Sequence, residues 1–194
     1  MTAAVLTEKI YSIEEYFELE KHSDIRHEFV NGKLYAMQGE SLIANRIADN
    51  CGFQLRLQLN KKGYDTIRHD VRTIVKFKRI YRYPDVALAK RAEISQTHAV
   101  TKPELLIEVT SDNSTNTDHD AKVKEYTNLE SLQYYIIIAQ DEALVEVYSR
   151  DEKGWRFDVY SELNQIISLK YFDASLNLSD IYENVIWADA KSDD

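Results

Sequence analysis

Two proline-headed apolar runs constrain this chain more than any other feature. Pro84 stands directly before 85–89 (DVALA) and Pro103 directly before 104–110 (ELLIEVT). Proline can open a strand but cannot donate a hydrogen bond within one, so each run begins at its proline and reads as a central strand. A third run, 134–139 (YYIIIA), is also strongly apolar, and 143–149 (ALVEVYS) pairs with it across 140–142, with more strand at 156–160. Helical patterns lie between these strands. Ser12 caps a short amphipathic helix over 12–21, and apolar residues at steps of three and four (Leu42, Ile43, Ile47, Cys51, Leu55, Leu59) predict a long helix within 40–62, closed by Gly63. Another helix is expected over 117–129, after the polar turn 111–116. Asn31-Gly32 between two alternating runs predicts a hairpin over 26–37 that carries Glu28 on its first strand. The stretch 64–77 reads as one long or bent strand, followed by a basic, aromatic turn at 78–83. The class is α/β.

At 194 residues the expectation is one domain over 1–187 with an acidic, flexible tail at 188–194. No apolar run approaches the roughly 18 residues that cross a bilayer, and residues 1–10 lack the apolar block of a secretory leader, so the cytoplasm is the expected location. Cys51 is the only cysteine, which rules out an internal disulfide and argues against a cysteine-based zinc site; its place in the helical stripe reads as core packing. The net charge of -9 argues against a nucleic-acid partner until its distribution is considered. Segment 56–82 holds nine basic and two acidic residues, net +7, leaving 15 basic against 31 acidic, or -16, elsewhere. Such lopsidedness can steer a polyanion to one side, although a solvated hairpin has the same charge.

The chain has no glycine-rich phosphate loop, and its five histidines show no metal-ligand spacing. What stands out is Glu108 inside Leu105-Leu106-Ile107-Glu108-Val109. A carboxylate buried there without compensation costs several kcal/mol, so a basic side chain, a metal ion or access to solvent at the strand end must offset it. Asp85, by itself a turn residue after proline, converges with Glu108 if the two strands are neighbours. Two such carboxylates repel one another unless a cation sits between them, and an all-oxygen pair suits magnesium or manganese.

Pro84-Asp85, a gap of 22 residues, and Glu108 followed by Thr110 resemble the PD-(D/E)XK nuclease superfamily, except that threonine stands where its lysine is expected. The pattern is similar to a bacterial restriction-endonuclease-like family in which that lysine has moved to the following helix. Here the match is Lys122 in Asp118-His119-Asp120-Ala121-Lys122-Val123-Lys124-Glu125-Tyr126. Glu28 in His27-Glu28-Phe29-Val30-Asn31-Gly32 and the run Ser131-Leu132-Gln133-Tyr134-Tyr135 also match, so the resemblance covers about 11–185. Lys124 points about 200° away from Lys122 around a helix, so only one of them can face the acids; Lys122 is chosen, with Tyr126 on its face. Family members often carry a histidine near Ala44, which this chain lacks.

The resemblance implies a restriction-endonuclease-like core, a mixed central sheet flanked by helices with the first hairpin beside it, and metal-dependent hydrolysis of DNA. Asp85, Glu108 and the Val109 carbonyl would hold Mg2+ or Mn2+. Glu28 would bind a second ion or orient water, and Lys122 would orient the attacking water or stabilise the transition state. The stretch 56–82, and above all residues 79–83 leading into Asp85, would bring in the phosphate backbone, and a homodimer suits cutting both strands of a duplex. The alternative is a catalytically silent nuclease fold acting as a nucleic-acid or protein binding module.

Overall fold

The proline-headed runs and 134–139 become neighbouring strands. The computed structural model describes residues 9–187 apart from 38, 69 and 112–115, so the expected tail at 188–194 and most of the 111–116 turn lie outside the described residues. In chain order the elements are α1 (Ile13–His22), β1 (His27–Val30), β2 (Lys33–Ala36), α2 (Leu42–Leu59), β3 (Tyr64–Arg68), β4 (Arg72–Lys76), β5 (Ile80–Arg82), β6 (Val86–Lys90), β7 (Ala99–Val100), β8 (Leu105–Thr110), α3 (Asn116–Thr127), β9 (Tyr134–Ala139), β10 (Val145–Asp151), β11 (Gly154–Tyr160), β12 (Ile166–Leu169), β13 (Ala174–Asn177) and α4 (Leu178–Ile181).

A mixed six-stranded sheet runs β11-β10-β9-β8-β6-β3, with β8 and β9 parallel. Both of its faces are covered. Val86, Leu88, Leu105, Ile107, Ile136 and Ile138 join the α2 stripe of Ile47, Cys51, Leu55 and Leu59 in the main core. The alternate residues Ala87, Leu106, Tyr135 and Ile137 pack with Tyr126 and Leu129 on the α3 side. Strand periodicity therefore sends Glu108, two residues after Leu106, toward α3.

The first hairpin belongs to a second sheet, β2-β1-β5-β4-β7. Asn31 and Gly32 both take positive φ, 50° and 91°, as the tight turn requires. α1 is fixed by a capping box: Ser12 Oγ accepts from Glu15 N at 3.1 Å, and Glu15 Oε2 accepts from Ser12 N at 2.8 Å. Its Tyr16 packs with Phe29, Leu34 and Tyr81 in a small core of its own.

Three expectations need correction. The stretch 64–77 is two strands in different sheets, because the chain turns a corner at Asp70 (φ 43°), where aspartate tolerates the left-handed region. The turn expected at 78–83 is a turn only at its start, and β5 takes up 80–82. β7, β12, β13 and α4 were not anticipated at all; each has only two to four residues, too few for periodicity to register.

Burial, reinforced by the nearby Asp85 charge, pushes the Cys51 thiol up to about 12. The native protein should therefore leave Cys51 unlabelled by a thiol reagent at pH 8, whereas the urea-unfolded chain should release one equivalent. Rapid labelling of the native state would contradict the packing of α2 on the sheet.

Candidate active site

β6 and β8 pair antiparallel, Val86 opposite Ile107, which sets Asp85, one residue before β6, level with Glu108 where the pairing of the two strands ends. Asp85 Oδ2 accepts from the Val109 N–H at 2.6 Å, taking the place of the next ladder partner. The N–H and C=O of one strand residue point the same way, so the Val109 carbonyl opens on the Asp85 side as well. Asp85 lies partly open to a cavity of about 440 Å³ whose wall includes Arg26, Met37, Glu40 and Tyr83.

α3 supplies the other half of the site. Lys122 and Tyr126, one turn apart, both donate to Glu108: Lys122 Nζ to Oε2 and Tyr126 Oη to Oε1, each at 2.8 Å. Lys122 Nζ is also 3.9 Å from Glu28 Oε1. Lys124, the other lysine of the helix, is exposed. Glu28 lies opposite the β5 residues: its Oε2 accepts from Arg82 Nη1 at 2.6 Å and its Oε1 from the Tyr83 N–H at 3.4 Å. Arg82 turns its remaining edge to Glu125 in a two-pronged bond, Nε to Oε2 at 2.9 Å and Nη2 to Oε1 at 3.0 Å.

All four side chains singled out from the sequence (Glu28, Asp85, Glu108, Lys122) are thus brought together, with the Val109 backbone beside them. Glu125 was missed as a site residue, and Arg82 was read only as part of a phosphate-contacting stretch. Glu125 lies three residues after Lys122 on one helix face, a spacing that could have indicated it. The expectation that residues 79–83 approach phosphate is corrected for 81–83: Tyr81, Arg82 and Tyr83 are buried, and Arg82 is committed to two carboxylates. Behind the site Glu20 joins Tyr83 Oη at 2.7 Å to the ring and N–H of His27, at 2.9 and 3.0 Å, so these buried polar groups are paired.

The acids differ electrostatically. Burial and then the Glu108 charge raise the Asp85 carboxyl well above its ordinary 3.8, against the pull of the Val109 N–H. Burial also raises Glu108, opposed by Lys122. For Glu28 burial acts upward too, but Lys122 and Arg82 outweigh it and hold the carboxyl below its ordinary range. Burial and the Glu108 charge keep Tyr126 protonated, hence a donor.

These groups fit a divalent cation. Asp85, Glu28, Glu108 and Glu125 carry four negative charges when ionised, against two positive charges on Lys122 and Arg82, so two negative charges are left over. The hard oxygens of Asp85, Glu108 and the Val109 carbonyl suit Mg2+, which needs only one or two carboxylates. Among the described residues no group of three His, Cys, Asp or Glu side chains forms a preassembled metal cage.

A mixed sheet flanked by helices, with acids facing each other on adjacent strands and a lysine from the next helix, defines a restriction-endonuclease-like protein. A crystal structure described as "a putative nuclease belonging to DUF820", from Anabaena variabilis, shares this fold with a TM-score of 0.74 at 16% identity, over 90% of this chain and 99% of that one. Two uncharacterized Synechocystis proteins are similar in sequence. One, sll1609, is 30% identical over 155 residues, 78% of this chain and 88% of its own length; the other, slr1290, is 23% identical over 175 residues, 90% and 92%. Residues 13–179 match the model of the Uma2 family, described as "Putative restriction endonuclease", and the chain belongs to that family.

The folded-state pKa of Asp85 lies above its unfolded value, so its stabilising contribution is present below about pH 4 and lost as pH rises through the folded value. At pH 7 in EDTA, Asp85→Asn, which keeps an acceptor for the Val109 N–H, should melt about 3 °C or more above the wild type, roughly 1 kcal/mol for a chain of this size. The difference should shrink as pH approaches 4. A lower melting point for the variant at pH 7 would refute the electrostatic burden assigned to Asp85.

Proposed function

We propose that this chain is a metal-dependent endonuclease that hydrolyses DNA phosphodiester bonds, with Mg2+ or Mn2+ held by Asp85, Glu108 and the Val109 carbonyl. The observation that carries this reading is the approach of Asp85 to Glu108 on adjacent strands while Lys122 grips Glu108. A divalent ion held there by Asp85, Glu108 and the Val109 carbonyl would supply neutralisation of charge on the phosphate and a lowered pKa for the water that attacks near neutral pH. Lys122, already between Glu108 and Glu28, presents its ammonium to the charge that builds on the phosphoryl oxygens. Tyr126 holds Glu108 in orientation. Glu28 has both oxygens engaged by Arg82, Tyr83 and Lys122, which favours a role in holding Lys122 over carriage of a second ion.

The nucleic-acid contact is better assigned to the β4–β5 turn than to β5 itself. Lys76, Lys78 and Arg79 are exposed there around Phe77, itself 69% exposed. The Asn31 N–H donates to Arg79 O at 2.7 Å, joining this turn to the β1–β2 turn. Three residues along β5 separate Arg79 from Arg82, so the basic tip stands about 10 Å from the Glu28–Arg82 pair. Two other cations of segment 56–82 are matched internally, Lys62 by Asp173 and Arg68 by Asp49.

A binding-only reading is favoured by one feature: both Glu108 oxygens are already occupied. Cleavage of supercoiled and single-stranded DNA with Mg2+, Mn2+ or EDTA separates the two. Nicking should require metal and fall at least 100-fold in Asp85→Asn and Glu108→Gln, and Mg2+ should raise the melting point of the wild type but not of Asp85→Asn. DNA retention without nicking, with no Mg2+ stabilisation, would replace the endonuclease reading by the binding one.

The basic tip has its own test. Replacing Lys76, Lys78 and Arg79 together by alanine should flatten the dependence of log K on log salt by about 2 to 3, close to one unit per lost phosphate contact. An unchanged slope would remove the tip from the interface.

A further inference from the structure

β11 is an edge strand with an unused ladder, and its sequence is complementary to itself. Arg150 N donates to Gln133 O and Ala139 N to Leu144 O, both at 2.9 Å, so the even-numbered residues of β10 bond toward β9. Its odd-numbered residues therefore bond toward β11, where they face Gly154, Arg156, Asp158 and Tyr160. The N–H and C=O groups of Trp155, Phe157 and Val159 are left pointing outward, and among the described residues none has a backbone partner. Phe157 and Val159 are 51% and 49% exposed on this edge. A long, apolar, uncovered edge of this kind invites another strand.

We propose that this edge is a two-fold interface at which a second copy of the chain adds its own β11 antiparallel, with Phe157 on the axis. In that register Trp155 lies opposite Val159 of the other copy, and every outward N–H and C=O finds a partner. Arg156 lies opposite Asp158, and Asp158 opposite Arg156, so the Arg156–Asp158 pair within each chain, 2.7 Å apart, becomes part of a four-charge alternating square. The charges also fix the register. A slip of two residues either way sets Arg156 against Arg156 or Asp158 against Asp158, and like charges directly opposite are destabilising. On the opposite face of the strand, the aromatic row Tyr135–Tyr148–Phe157, with centroids 6.0 and 4.9 Å apart, continues across the axis into its copy.

The symmetry axis stands perpendicular to the joined sheet, so both α3 helices lie on one face. Seven strand spacings of about 4.8 Å then separate one β8 from the other, about 34 Å, close to one turn of B-form DNA. This spacing matters only if the endonuclease reading holds; the dimer does not depend on that reading.

Sedimentation velocity of the full chain over a range of concentrations tests the interface. The wild type should form a species of twice the 22.6 kDa chain mass. Arg156→Asp alone and Asp158→Arg alone should each weaken the dimer more than tenfold, while an equimolar mixture of the two variants should dimerise again, because each then faces unlike charges. Val159→Pro removes an outward N–H without touching the β10 ladder and should also give monomer, with the native circular dichroism spectrum retained. A wild type monomeric at every concentration, a dimer indifferent to all three substitutions, or a variant mixture that stays monomeric would each overturn the proposal.

Discussion

A carboxylate on a strand covered on both faces can remain charged only if donors are brought to it, and for Glu108 both come from α3. Lys122 and Tyr126 each take one oxygen, offsetting a desolvation cost of several kcal/mol. The same two bonds fix the rotation of the helix about its own axis. The described apolar contacts of α3 with the sheet amount to Tyr126 in the cluster, with Val123 packed against it, so the charged face does much of the orienting. Helix docking and site assembly are for this reason one event: a helix rotated by one residue would lose the compensation of Glu108 together with the placement of Lys122.

The network also joins the two sheets. Glu108 belongs to the six-stranded sheet, and Glu28 and Arg82 to the five-stranded one; from α3 Lys122 touches both and Glu125 holds Arg82. Arg82 suits its position because a guanidinium can satisfy two carboxylates at once in a fixed plane. Removing it would leave Glu28 with the Tyr83 N–H and the more distant Lys122 ammonium, and Glu125 without its two-pronged partner. The site is accordingly set by long-range pairings, of which the 54-residue separation of Glu28 and Arg82 is one example, and not by any single loop.

The fold was legible in the sequence where local signals were strong. The proline-headed strands, the Asn31-Gly32 hairpin, the α2 stripe and the Ser12 cap all rest on neighbours close in the chain. It was illegible where tertiary structure overrode local pattern: 64–77 alternates in places along its length, yet its halves join different sheets. Within the site, an acid in an apolar strand drew attention to Glu108, and helical phase separated Lys122 from Lys124. Arg82 was misread because a basic residue in a basic segment looks solvent-facing; only the register of β5 against β1 turns it inward to Glu28. The β11 edge was recognised as strand, but nothing local says that a strand lies at the edge of its sheet.

Surplus negative charge at the site bears on how an acidic protein of net charge -9 could handle a polyanion. The cavity beside Asp85 also carries Asp24, Glu40 and Asp70, with Arg26 the basic residue of its wall, and Arg26 is itself 3.6 Å from Asp70. A phosphate entering that space meets repulsion until a cation is present. The exposed tip at Lys76, Lys78 and Arg79 has no such surplus. On the endonuclease reading the two regions divide the work: the tip holds the backbone whatever the metal supply, and the cavity admits a phosphate only when an ion has been bound. Retention and cleavage would then respond to different variables, salt for the first and divalent ion for the second, because long-range attraction to the tip is screened by salt whereas the carboxylates of the site lie in a low-dielectric interior that screens poorly.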